Sequence, residues 1–257
     1  MRFKIVILGT GNVGHHLACA FSAAGHQVTI WNRTVENIKQ TISACNAKIL
    51  NKPELIDNKT DFCILALNED GIVSVCKQIP PIQGILLHTA GSVPIDILKP
   101  FATHYGVLYP FQTFSKERKL DYSKIPVFTE GSDLQAIKTI NSISTGVFGT
   151  VSELDSLNRS YLHLAAVFAC NFVNASLMAA QEISETYSVD FNHLMPLIEE
   201  TIEKNKNNNP VSNQTGPAVR NNMSVIEKHI EMIKKQPELQ SFYIAVTDYI
   251  QKKFNKK

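Results

Sequence analysis

Short apolar runs alternate with amphipathic, helical stretches through the first half of the chain. The runs are as long as β-strands and apolar on both faces, which is typical of parallel strands covered by helices on each side. They occupy residues 3–8, 27–31, 47–50, 61–67, 84–88, 106–109 and 125–129. This alternation predicts an α/β domain built on a doubly wound, mostly parallel sheet.

The pattern changes near residue 150. From Leu154 onward the apolar positions follow helical spacing, which predicts helices over residues 161–186, 192–206, 219–235 and 237–254. The first half of the 161–186 helix is apolar almost all round, as in helices buried in a core or an interface. The chain therefore divides into two predicted domains, residues 1–150 and an all-helical 151–257. The apolar helix predicts a homodimer formed through the second domain.

Composition argues against several classes of protein. Of the 257 residues, 44% are hydrophobic and 19% are charged, and a net charge of +2 gives no case for binding nucleic acid or a membrane. We expect no signal peptide, and apolar stretches such as 162–173 contain too many polar groups to predict a bilayer span. Five cysteines without a C-x-x-C pair favour free thiols, no metal and a cytoplasmic location.

A glycine-rich motif, G-x-G-x-x-G, separates the first strand from the first helix. It consists of Gly9, Thr10, Gly11, Asn12, Val13 and Gly14. The three glycines allow a tight turn, close approach of a pyrophosphate and close packing of helix on strand, while the helix start offers unpaired N–H groups. We therefore predict a Rossmann-like dinucleotide site; the alternative is a glycine-rich turn without a ligand.

The end of the second strand indicates which dinucleotide binds. An NAD site has an acid at this point to hold the ribose hydroxyls, whereas this chain has Asn32, Arg33 and Thr34, with no acid before Glu36. Arg33 can pair with the extra phosphate of NADP and stack on the adenine, and its two neighbours can donate hydrogen bonds. The predicted cofactor is NADP, unless Arg33 is only a solvated loop charge.

Two further strand ends are predicted to complete the cofactor site. Ligands of such sheets lie outside the carboxyl ends of the strands. The fourth strand leads into Ala66 and Leu67, and the next into His88, Thr89 and Ser92, which we expect at the nicotinamide end. His88 taken alone is also compatible with an ordinary core or loop histidine.

In this order, the motifs resemble the 6-phosphogluconate dehydrogenase-like superfamily, which includes β-hydroxyacid dehydrogenases, ketopantoate reductase and pyrroline-5-carboxylate reductase. Residues 109–114, 163–171 and 215–220 more closely resemble a subfamily of oxidoreductases of unassigned substrate, in which a Rossmann-like domain precedes a helical domain of unknown function. The resemblance implies an NADP-dependent oxidoreductase. It would transfer hydride between the nicotinamide and a small carbonyl, imine or hydroxy compound at the domain interface.

The resemblance also implies catalytic residues. In β-hydroxyacid dehydrogenases the first long helix of the second domain carries a lysine acid/base and, four residues on, an asparagine that orients substrate. Alignment of Asn171 with that asparagine leaves Val167 where the lysine belongs. His163, one turn earlier on the same face, can replace the lysine as proton donor, unless it is a buried histidine bonded to a carbonyl. Asn171 and Asn174 lie in so apolar a helix that we expect both amides to be buried and to need partners, from substrate or an adjoining helix.

A third group of residues predicts an anion site for substrate. Thr215 is a candidate helix cap, Pro217 would lie in the first turn, and Arg220 one turn in could hold a carboxylate. The alternative is ordinary capping with a surface arginine. The missing lysine at Val167 also leaves open a non-catalytic NADP-binding sensor or assembly protein, and the same fold would suit a deazaflavin-linked reductase.

Overall fold

A computed structural model describes residues 2–254 and forms two compact units, the first ending at Cys170 and the second beginning at Asn171. The first unit contains eight strands: β1 Lys4–Leu8, β2 Gln27–Trp31, β3 Ala47–Ile49, β4 Phe62–Leu65, β5 Ile85–His88, β6 Tyr105–Pro110, β7 Val127–Gly131 and β8 Val151–Glu153. Its helices are α1 Asn12–Ala23, α2 Val35–Ala44, α3 Glu69–Cys76, α4 Leu134–Ser144 and α5 Ser156–Ala166. The predicted strands are all present, and β8 is an additional one.

The strands form one sheet in the order β3-β2-β1-β4-β5-β6-β7-β8. All neighbouring pairs are parallel except β6 and β7, which are antiparallel. The order reverses between β1 and β4, and such a switch point is where sheets of this kind bind ligands. The predicted class, a doubly wound and mostly parallel sheet followed by helices, is confirmed.

Both faces of the sheet are covered, as the apolar runs predict. Ile5 and Ile7 of β1 belong to the core beneath α1 and α4, whereas Val6 and Leu8 belong to the core beneath α3. Alternate residues of a strand point to opposite faces, so a strand that is apolar throughout must be covered twice. All five cysteines are free thiols. Within residues 2–254, no group of His, Cys, Asp or Glu side chains is arranged to hold a metal ion.

The second unit contains helices. They are α6 Val173–Thr186, α7 Met195–Asn207, α8 Pro210–Asn213, α9 Met223–Met232 and α10 Pro237–Phe254. The helix predicted over residues 219–235 begins later, at Met223, where the Asn222 side chain accepts a hydrogen bond from the Val225 N–H and caps it. Residues 217–221 form a turn instead.

The predicted helix over residues 161–186 differs from expectation in three ways. It begins earlier, at Ser156, because Asp155 caps its first turn by accepting a hydrogen bond from the Asn158 N–H. It contains a π-helical segment, Val167–Phe172, between α5 and α6. Its apolar side chains are exposed rather than buried within the chain, as Leu164 illustrates at 53% exposure.

The continuous helix Ser156–Thr186 has 31 residues, and an 18-residue stretch within it has a mean hydropathy of 1.5, so its length and composition would allow a membrane span. That result departs from the expectation that its apolar stretch is too interrupted. One such helix is weak evidence for a membrane, because core helices of water-soluble proteins have the same length and composition. The division between the two units also falls within this helix, later than the change of pattern at residue 150, since Ser156 and Arg159 of α5 bond to Glu130 of β7.

Candidate functional site

The glycine motif forms an open turn between β1 and α1. Gly9 has a φ of +98°, and a Cβ at Gly14 would lie 1.8 Å from the Gly9 carbonyl oxygen, so side chains are excluded at both positions. A Cβ at Gly11, by contrast, would meet no atom within 4 Å. The α1 helix begins at Asn12 with neither a side-chain cap nor an acidic residue in its first turn. Free N–H groups facing open space fit a pyrophosphate.

Asn32 supports this turn from β2 rather than presenting its amide to a ligand. Its Oδ1 accepts a hydrogen bond from the Thr10 N–H at 2.9 Å, and its Nδ2 donates to the Thr34 carbonyl at 3.0 Å. Thr10 itself is fully buried, and its hydroxyl makes no hydrogen bond to the described residues. Asn32 therefore braces the turn and the Thr10 hydroxyl points inward, while contacts of these two residues with the cofactor stay predictions.

A cleft of about 750 Å³ extends from the glycine turn along the carboxyl ends of β2 and β4. Its walls include the predicted residues Gly9, Gly11, Asn32, Arg33, Thr34, Ala66 and Leu67. Arg33 is exposed, and no carboxylate of residues 2–254 forms an ion pair with it. Thr34 is the N-cap of α2, and its side chain makes no capping bond. A free guanidinium and a free hydroxyl beside a helix start fit the extra phosphate of NADP.

His88, at the end of β5, lies inside the protein. It is 0% exposed, and its Nδ1 accepts a hydrogen bond from the Ala90 N–H at 3.2 Å. Burial first, and then the positive charge of Arg159, lower the pKa of His88 to about 3, so its ring is neutral near pH 7. The expectation that its side chain lines the nicotinamide end is thus corrected, because the ring supports the following loop from beneath. Thr89 is also buried, whereas Ser92 is exposed.

A tyrosine–histidine pair lies beside that loop. The Tyr109 hydroxyl, at the end of β6, and His163 Nδ1, on α5, share a hydrogen bond of 2.9 Å. Their close approach depends on Gly91, because a Cβ there would lie 2.6 Å from His163 Nδ1 and 2.9 Å from Tyr109 Cζ. Burial raises the pKa of Tyr109, partly offset by Arg159, so its hydroxyl stays protonated near neutral pH. His163 Nε2 has no hydrogen-bond partner among residues 2–254.

A buried ion pair fixes α5 beneath this pair. Arg159, fully buried and one turn before His163, pairs with Glu130 of β7 and donates to the Val93 carbonyl at 2.5 Å. Glu130 also accepts a hydrogen bond from the Ser156 N–H at 3.0 Å, at the start of α5. Sequence reasoning missed the roles of Tyr109, Gly91 and Arg159. Arg159 could have been recognised, because it lies four residues before His163 and therefore on the same face of the helix.

The remaining predicted residues lie in the second unit. Asn171 and Asn174 are exposed, so neither is the buried amide in need of a partner that the apolar sequence suggests. Thr215 does not cap a helix. The residues that follow it form the 217–221 turn, which contains Arg220, and α9 begins only at Met223. The helix-start argument for an anion site at Thr215 and Arg220 is therefore wrong, and binding roles for these four residues stay predictions.

Comparisons with known proteins agree with this geometry. The family described as NADP oxidoreductase, coenzyme F420-dependent, matches residues 4–92, and a domain of unknown function, DUF2520, matches residues 125–250. A Bacteroides fragilis protein provisionally named an NADP oxidoreductase is 32% identical, over 98% of both chains, with a TM-score of 0.89. No curated protein sequence matches this chain.

More distant solved structures share the fold. A reductive aminase from Aspergillus terreus, in complex with NADPH and ethyl levulinate, is 14% identical, with a TM-score of 0.73 over 98% of this chain and 93% of its own. An imine reductase from Myxococcus stipitatus, in complex with NADP+, is 12% identical, with a TM-score of 0.70 over 97% of this chain and 93% of its own. At such identities the likeness extends to the fold alone.

Proposed function

Because this chain belongs to the NADP oxidoreductases and joins an NADP oxidoreductase domain to a DUF2520 domain, we propose that it transfers hydride between NADP and a small carbonyl, imine or hydroxy compound. The nicotinamide supplies or accepts the hydride when it is bound. The free N–H groups of α1, with Gly11 and Asn12, would hold the pyrophosphate. Arg33 and Thr34 would hold the extra phosphate, while Ala66, Leu67 and Ser92 would border the nicotinamide.

The observation that carries this proposal is the hydrogen-bonded pair of Tyr109 and His163. Hydride transfer to a carbonyl or imine needs a proton for the heteroatom, and histidine is suited to supplying one near neutral pH. The imidazolium form of His163 can supply this proton from Nε2, which no described residue occupies. In that form Nδ1–H donates to the Tyr109 oxygen, and once the Nε2 proton has left, the neutral ring keeps its remaining proton on Nδ1. Tyr109 thus orients the ring, and His163 Nε2 is the proposed proton donor.

The test is turnover of NADPH with a panel of small aldehydes, ketones and preformed imines, each with wild type and variants. We expect wild type to oxidise NADPH with one of these classes. His163→Ala should lower kcat by about 10²–10⁴-fold while NADPH binding is kept. Tyr109→Phe should lower kcat less and change its pH profile, since the ring loses its orienting partner. His193→Ala, an exposed histidine in the second unit, is the matched control and should behave as wild type.

Two results would overturn the assignment. Full turnover by His163→Ala would remove His163 as the proton donor. Tight NADPH binding by wild type without turnover of any panel member would favour the non-catalytic sensor.

The exposed apolar side chains of α5 and α6 support a second part of the proposal, a homodimer formed through the helical part of the chain. Tyr161 and Leu164 are more than half exposed, and so is Met178 at 63%. These side chains belong to one continuous helix, Ser156–Thr186, and a cluster of exposed apolar side chains marks an interaction site. Light scattering should give twice the chain mass, and the monomer mass at micromolar concentration would contradict the proposal.

A further inference from the structure

The loop that follows β6 folds back over the start of α1. His16 of α1 donates from Nε2 to the Ser115 carbonyl at 2.9 Å and accepts at Nδ1 from the Tyr122 hydroxyl at 3.1 Å. The same imidazole stacks on Phe114, with ring centroids 5.1 Å apart and an interplanar angle of 30°. Lys116 lies between these anchors, so the loop holds its backbone in place next to the dinucleotide-binding helix.

The Lys116 side chain reaches α2 at the phosphate end of the cleft. Its Nζ donates to Asn37 Oδ1 at 2.7 Å. Asn37 borders the same cleft as Arg33 and Thr34 and lies one helical turn after Thr34. The bond to Asn37 thus holds the Lys116 ammonium near the Arg33 guanidinium and the Thr34 hydroxyl. Together these would be three hydrogen-bond donors, two of them positively charged.

Lys116 forms no ion pair there, and the charge of Glu117 offsets the effect of burial on its pKa only in part. It is half-buried, and among the described residues no carboxylate lies within ion-pair distance of its Nζ. Glu117, its neighbour, accepts a hydrogen bond from the Ser115 hydroxyl instead. Burial lowers the pKa of Lys116, a sign that its ammonium is incompletely solvated. Asn37 is neutral and accepts a hydrogen bond from one of the three ammonium N–H groups of Lys116. A bound anion would accept hydrogen bonds from the other N–H groups and would balance the charge.

We propose that Lys116, positioned by Asn37, binds the 2′-phosphate of NADP together with Arg33 and Thr34, and so helps to set the preference for NADP over NAD. This inference rests on the proposed function. Its ligand is the phosphate that distinguishes the two dinucleotides, rather than the pyrophosphate that both carry. Sequence reasoning missed Lys116 because it lies 79 positions from Asn37 in the chain and reaches the cleft only through the folded loop.

The experiment measures binding of NADPH, NADH, 2′,5′-ADP and ADP to the full chain by fluorescence or calorimetric titration. Lys116→Met should weaken NADPH and 2′,5′-ADP by about 10-fold, the usual effect of losing one charge-assisted hydrogen bond. Binding of NADH and ADP should change less than about twofold, and Lys116→Arg should restore most of the NADPH affinity. Lys119→Met removes the same charge from an exposed position of the same loop and is the matched control.

The outcomes separate this inference from the proposed function. Unchanged NADPH affinity in Lys116→Met would overturn the inference, and equal losses for NADPH and NADH would assign Lys116 to the pyrophosphate instead. A wild-type protein that binds NADH as tightly as NADPH would contradict the proposed NADP dependence itself. Unchanged NADH binding by Lys116→Met also shows that the variant is folded, so a selective loss of NADPH binding cannot come from unfolding.

Discussion

Replacement of Gly91 by alanine should disable the proposed proton donor without changing the residues that are proposed to bind the phosphates of NADP. The new Cβ would lie 2.6 Å from His163 Nδ1 and 2.7 Å from Cγ, where ordinary contact begins at 3.4 Å. The imidazole must therefore move by about 0.8 Å, the difference between 2.6 and 3.4 Å. Neither atom is the far end of a flexible chain, and Arg159 on the same helix is fixed by its ion pair, so the strain falls on the bond to Tyr109.

A shift of that size is enough to break the 2.9 Å hydrogen bond between Tyr109 and His163, because contacts of about 3.6 Å are no longer hydrogen bonds. Misplacement of a reacting group by about 1 Å costs on the order of 10²-fold in rate. We therefore expect Gly91→Ala to lower kcat by about 10²-fold and to destabilise the fold by about 1–3 kcal/mol through overpacking.

The assay combines steady-state turnover with the best substrate class, NADPH titration and urea unfolding. Gly11→Ala is the contrasting variant: its Cβ would meet no protein atom within 4 Å, so it should weaken NADPH binding and leave the fold intact. Wild-type kcat in Gly91→Ala would refute the reasoning, because the crowded ring could not then be the group that limits turnover.

Two further predictions concern stability. The pKa of His88 in the folded chain, about 3, lies below the unfolded value near 6.5, so the unfolded chain binds the extra proton between those values and stability falls as the pH falls. His88→Gln can still accept a hydrogen bond from the Ala90 N–H but does not titrate. Between about pH 7 and pH 5 its free energy of unfolding, measured in urea, should fall by about 2 kcal/mol less than that of wild type. An unaltered pH dependence would refute the conclusion that His88 is buried in its neutral form. Glu130→Gln leaves Arg159 buried without a counter-charge and should destabilise by about 3–5 kcal/mol, against less than about 1 kcal/mol for Glu200→Gln, whose ion pair is exposed. Equal losses in the two variants would contradict a buried pair at Arg159.

Local signals were sufficient for the first half of the fold. The ends of β2 coincide with the predicted strand, and the predicted glycine turn leads into α1 at Asn12. The conformation of an apolar run or a glycine turn depends on a few neighbouring residues, so both can be predicted from local sequence. The antiparallel β7 was harder to foresee, because strand direction depends on how the chain returns to the sheet edge.

The site was only partly predictable, for a reason visible at Tyr109 and Lys116. The phosphate turn is contiguous in sequence, and so its chemistry is legible from spacing alone. The Tyr109–His163 bond joins residues 54 positions apart, and the Lys116–Asn37 bond joins residues 79 apart. Burial was misjudged in both directions: His88 was expected at a surface and lies inside, while the amide of Asn171 was expected inside and is exposed.

The Asn32 amide links cofactor choice to the shape of the loop that binds it. NAD sites have an acid at the end of the second strand, so a shift of cofactor preference toward NAD would begin by placing one there. At Asn32 an aspartate could still accept from the Thr10 N–H but could not donate to the Thr34 carbonyl, which it would repel. The turn would lose one of its two ties, so binding of either dinucleotide would suffer. Redesign of this protein should leave Asn32 unchanged and alter Arg33 or Thr34, whose side chains hold no part of the loop.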